Sequence, residues 1–133
     1  MAGVLLRSGE LIVLEAFVNM LAPQDLVLRL FTNNITPAET DDEGDYTEDS
    51  GDGYDHVDIA GASGWTWAAG DPSSLSYVEC EFAYTGAGGN VYGYYITQVT
   101  SGIAVIAERF TDGPYNIQNS GDRILVTPSL TID

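Results

Sequence analysis

The most regular pattern in the chain lies between Asn90 and Pro128, where three apolar runs are separated by compact turns. In the first run Tyr92, Tyr94 and Ile96 alternate with Val91, Gly93, Tyr95, Thr97 and Val99, so both faces of an extended strand are apolar. A strand of that kind is covered on both sides, within a core or against a second chain. Thr100-Ser101-Gly102 predicts a hairpin turn into a second strand over Ile103 to Phe110. Tyr115 to Gln118 predicts a short extended piece. Arg123 to Ile132 predicts a last strand with Ile124, Val126, Leu130 and Ile132 facing inward. Pro128 has no N–H for a ladder, which predicts an edge or a bulge at that point.

The earlier half carries the same alternation. Leu26, Leu28 and Leu30 oppose Val27, Arg29 and Phe31 in a strand over Asp25 to Thr32. Val57 to Ala60 predicts a short strand, and Trp65-Thr66-Trp67 places two indoles on one side of the next. In Ser76 to Tyr84, Val78, Cys80, Phe82 and Tyr84 share the core face while Glu79 and Glu81 share the other. Helical spacing appears once. Ser8 is a candidate N-cap, Leu11, Leu14, Val18 and Leu21 form a stripe, and Ile12, Val13, Phe17 and Met20 widen it until Pro23 stops the helix. Such a helix is expected to be buried against the sheet or in an oligomer contact. The pattern predicts a mainly β fold: a single antiparallel β-sandwich, jelly-roll-like, with a short N-terminal α-helix and a long acidic loop. At 133 residues the chain is one domain (1–133), with the helix in the N-terminal segment 1–24 and the acidic loop at 39–58.

Charge changes this picture most. The chain has twenty acidic residues, four arginines and no lysine, for a formal charge of −16. That balance repels phosphates and anionic lipid surfaces, so neither nucleic acid nor membrane is expected as a partner. Half of the acidic residues fall between Glu39 and Asp58, with Gly44, Gly51 and Gly53 interleaved. Only Tyr46 and Tyr54 offer apolar surface there, which predicts an exposed, solvated loop. A calcium loop of the EF-hand type fails in register. With Gly44 at the glycine position the terminal acid falls on Ser50, and with Gly53 it falls on Ile59. His56, the single histidine, cannot by itself make a zinc site.

Catalytic patterns are missing. Without lysine there is no P-loop or Schiff-base chemistry, and Gly61-Ala62-Ser63-Gly64 lacks the spacing of a nucleophile elbow. Cys80 stands alone and reads as a small core residue. Glu79 and Glu81 are the best carboxylate pair for glycoside hydrolysis, but that spacing on a strand is ordinarily its wet face. The expectation is a protein that is not an enzyme and holds no cofactor or metal. Trp65 and Trp67 suggest a sugar platform or an interface anchor.

Several passages resemble a family of small virion proteins of tailed bacteriophages. They are Leu28 to Asn34 (LRLFTNN) with Thr36-Pro37, Asn90 to Thr97 (NVYGYYIT), Glu108 to Pro114 (ERFTDGP), Ile117 to Asn119, Gly121-Asp122 and Val126 to Pro128. The resemblance spans nearly the whole chain and carries no catalytic signature; the acidic loop is longer and more acidic than in that pattern. It implies a structural role on the virion. The chain would be a capsid cement or decoration protein on the capsid exterior, with the major capsid protein as partner, or alternatively a tail, neck or fibre component that binds a receptor or glycan. The surplus of apolar strand and helix surface adds an expectation of a homo-oligomer or a lattice of copies. The candidate interface residues are Leu11, Phe17 and Met20 in the N-terminal segment and the aromatics Trp65, Tyr92 and Tyr95.

Overall fold

The computed structural model describes residues 3–18, 25–59 and 63–132. Strand β1 (Val4–Leu5) and helix α1 (Arg7–Phe17) precede β2 (Leu26–Phe31), β3 (Val57–Ile59) and β4 (Trp65–Ala68). Next come β5 (Ser73–Tyr77), β6 (Cys80–Ala83), β7 (Gly89–Val91) and β8 (Gly93–Gln98). The chain continues with β9 (Ala104–Arg109), β10 (Tyr115–Ile117), β11 (Arg123–Val126) and β12 (Ser129–Ile132). Among the described residues the fold is mainly β, with one α-helix and several antiparallel sheets, and does not close into a barrel. A five-stranded sheet has the order β1-β9-β8-β2-β3; the pairs β10-β7 and β11-β6 and the three-stranded sheet β12-β5-β4 complete the set.

Strand β8 lies at the centre of the large sheet, and all six of its residues are buried. Two apolar clusters cover its two faces. On one face Leu28, Leu30, Tyr94 and Ile96 meet Phe82, Ile124 and Val126 from the β11-β6 pair and Tyr84 just after β6. On the other, Phe31, Tyr95, Ala104 and Ala107 meet Leu6 and Tyr46. The double-sided apolar pattern is therefore satisfied within one chain. Part of the cover comes from the acidic segment, through Tyr46.

The structure corrects the side assigned to Tyr92. It packs with Tyr95 on the second face, although simple alternation puts the two residues on opposite sides. The reason is a break between β7 and β8. Val91 pairs with Tyr115, Gly93 pairs with Arg109, and Tyr92 between them belongs to neither strand. Gly93 permits this crossing, because a Cβ there would overlap the Glu108 carbonyl and the Phe31 ring. A second irregularity lies in β9. Ile96 pairs with Ile106 and Thr97 with Ala104, which leaves Val105 as a bulge.

The expected strand over Ser76 to Tyr84 is divided. Its first part, β5, pairs with β12 and β4, whereas β6 pairs with β11. Between Val126↔Cys80 and Ser129↔Ser76 the β5-β6 side has one residue more, so the pairing is interrupted opposite Pro128, which has no N–H to contribute. Val78 and Ile132, both expected inside, are consequently exposed.

Helix α1 starts at Leu6 as N-cap rather than at Ser8, and no side chain caps it. The Ser8 hydroxyl instead donates to the Ala104 carbonyl at 2.7 Å. Gly9 lies against Val105, where a Cβ would come within 2.6 Å of the Val105 Cα, so the helix approaches β9 closely at its first turn. Ile12 packs on the main core, while Leu11, Leu14, Phe17 and Val18 are exposed. Contact with the sheet is thus limited to one narrow side of the helix. The remaining stripe residues, Met20 and Leu21, lie outside the described residues.

Candidate interaction surfaces

The acidic stretch is an exposed loop over most of its length, as its composition predicts, but it is tied to the rest of the chain, with Tyr46 and Asp49 buried. Its carboxylates act as hydrogen-bond acceptors for the chain itself. Asp41 accepts from the Ala38 N–H and the Tyr46 hydroxyl, and Asp42 and Asp45 form a reciprocal capping box around the 3-10 turn Glu43–Asp45. Glu43 accepts from the Ala104 N–H at 3.2 Å. Farther along, Glu48 bridges to the end of β2. Its two oxygens receive the Arg29 guanidinium, each at 2.9 Å, and the Tyr54 hydroxyl donates to it at 3.1 Å. Tyr54 in turn accepts from the Leu30 N–H. Asp49 is buried, with Tyr84 donating to one oxygen and the Gly51 N–H to the other. A buried carboxylate with donors on both oxygens avoids most of its desolvation cost.

This segment shapes the ionisation of the tyrosines around it. Burial is the main cause of the upward shift in Tyr46, Tyr54 and Tyr84, and the adjacent Asp41, Glu48 and Asp49 charges add to it. Tyr95 is pushed up to about 12 by burial first and the Glu48 charge second. Elsewhere, burial raises Glu108 against the opposing hydrogen bond from Tyr94. Burial also raises the Cys80 thiol, so the cysteine is a core residue in a nonreactive setting.

The six candidate interface residues separate into distinct groups. Leu11 and Phe17 are exposed on α1, Phe17 at 87%. Met20 lies outside the described residues. Tyr95 is not an exposed aromatic; it is 5% exposed and stacks on Tyr46 with ring centroids 5.1 Å apart. Tyr92 is half-buried beneath the Arg109 guanidinium, which sits 5.0 Å from its ring centre. Trp65 meets Tyr77 edge to face with ring centroids 5.1 Å apart and packs on the main core. Its neighbour Trp67 is the one in solvent, at 74% exposure. The two indoles therefore form no continuous sugar platform. Sequence reading missed Leu14 and Val18 as surface residues, because periodicity gives the apolar stripe but not which part of it the sheet covers.

Trp67 borders an apolar groove of about 170 Å3 lined by Leu75, Leu130 and Ile132. The other chemistry weighed from the sequence is dispersed. Glu79 and Glu81 are exposed, and Glu81 faces Arg123 at 3.5 Å. His56 lies between Asp55 and Asp58, at 3.5 and 3.7 Å. Among the described residues no three acidic, histidine or cysteine side chains converge so as to hold a metal ion. No described helix is long and apolar enough to cross a membrane. Comparison with protein-family models, with curated proteins and with solved structures found no match.

Proposed function

We propose that the chain is a structural virion protein: a capsid cement or decoration protein that docks on the outer face of a phage capsid, against the major capsid protein, and stabilises the shell. The observation that carries this reading is the exposed apolar side of α1. A helix whose Leu11, Leu14, Phe17 and Val18 stay in solvent presents anchors to a partner. The −16 charge supports an outer position, because packed DNA would repel the chain from the interior. Within this reading the architecture is a jelly-roll-like sandwich, supported by the core shared between the five-stranded sheet and the β11-β6 pair. Many copies, each with a modest contact, would act together on the shell.

The test is to deplete particles of this protein, heat them and measure DNA release. Depletion should lower the release temperature, and adding back the wild-type chain should restore it, whereas Phe17→Asp should not. Unchanged release on depletion refutes the cement role. Exposed Trp67 supports a second reading, a tail or fibre module that binds a receptor or glycan. Copy number separates the two: hundreds per particle would match a shell protein, a few dozen or fewer a tail component.

A further inference from the structure

We propose that the outer edge of β4 is a self-association site, where a second copy of this chain pairs antiparallel through its own β4 about a two-fold axis. The inference does not depend on the virion reading. Among the described residues, β4 pairs only with β5, so its other edge presents ladder groups with no strand beside them. Natural edges are commonly guarded by charge, proline or a bulge. Residues Trp65–Ala68 contain neither charge nor proline, and the pairing with β5 runs without a bulge.

The occupant follows from the charge distribution. The β12-β5-β4 sheet contains no charged residue in any of its three strands. One face carries Thr66, Ser74, Ser76 and Thr131; the other carries the row Trp67, Leu75, Leu130, joined at its outer end by exposed Ile132. On a chain of charge −16 this neutral sheet is where an identical molecule can approach without setting carboxylates against carboxylates. The exposed side of α1 does not offer that, since Glu10 and Glu15 lie on the same helix. The strand edge β3 carries Asp58 and is flanked by Asp55. A β4–β4 contact extends the three strands to a continuous six-stranded sheet and brings the two Trp67 side chains to the same face of it, where each covers apolar surface near the groove. Such an interface is isologous and closes at two copies. Four-residue strands make it small, so its affinity is of micromolar order.

Sedimentation equilibrium of the purified full chain across a concentration series tests the proposal. Mass should rise from 14.2 kDa to twice that value. Added salt should favour the dimer by screening the like charges. Thr66→Glu and Trp67→Glu, both at exposed positions, should each weaken association on the order of a hundredfold with unchanged circular dichroism. Phe17→Glu should leave it intact. Any of the following would overturn the inference: a wild-type chain that stays monomeric at every concentration, a dimer indifferent to both β4 substitutions, or a dimer abolished by Phe17→Glu instead. Binding of a glycan or an apolar ligand at Trp67 by a strict monomer would likewise overturn it.

Discussion

Replacing Tyr46 by alanine asks whether the acidic segment belongs to the folded core. The Tyr46 ring is 5% exposed and lies between Phe31, with centroids 5.2 Å apart, and Tyr95, at 5.1 Å. Truncating a buried aromatic costs about 3–5 kcal/mol. The segment can sink partway into the space left, which favours the low end, so Tyr46→Ala should cost roughly 3 kcal/mol. That is a large part of the ~5–15 kcal/mol that holds a domain together. Tyr46→Phe keeps the ring and removes only the hydroxyl that donates to Asp41, a loss of about 1 kcal/mol or less. Urea unfolding followed by tryptophan fluorescence gives both values. Digestion with a protease specific for acidic residues gives a second readout, since Tyr46→Ala should expose the segment from Glu39 to Asp58 to cleavage. If Tyr46→Ala costs under about 1 kcal/mol and digestion is unchanged, the segment does not cap the sheet and the reasoning fails.

Three further outcomes follow from the same geometry. Arg29→Ala should destabilise by about 1 kcal/mol, with an effect that shrinks in high salt, because Arg29 Nη1 reaches both Glu48 oxygens in a partly exposed pair and Glu48 also accepts from Tyr54; thermal melts at two ionic strengths measure it. Gly93→Ala should lose more than about 3 kcal/mol or fail to fold, since the new methyl group must displace the Glu108 carbonyl or the Phe31 ring; expression level and urea midpoint report this. At alkaline pH, Tyr46, Tyr54, Tyr84, Tyr94 and Tyr95 all have folded-state pKa values above the unfolded value. Their stabilisation is therefore complete below the unfolded phenol pKa of about 10 and is lost as pH rises toward the folded values. Phenolate absorbance should then appear together with loss of circular dichroism in one steep transition. Separate titration of these tyrosines in an intact fold would contradict their burial.

Alternation settled the strands β2, β8, β9 and β11 and the buried face of β6, helical spacing the helix near the N-terminus, and a missing N–H the interruption at Pro128. Those features rest on chemistry local to the chain: a side chain's polarity and its period along the backbone. The partners of each strand and the cover on each face were decided by tertiary structure. Tyr92 changes sides because Gly93 lets the chain cross tightly beside Phe31, which neither residue's neighbours reveal. The acidic segment is exposed over most of its length, as expected, but its anchoring was hidden because composition counts carboxylates only as charges. In the fold Asp41, Asp42, Glu43, Glu48 and Asp49 instead accept hydrogen bonds from N–H groups, hydroxyls and Arg29, several of them far away in the chain. Likewise, equal hydrophobicity could not tell Trp65 from Trp67 or Ile12 from Phe17. Exposure depends on which side chain the neighbouring sheet reaches, and that distance exists only once the chain has folded.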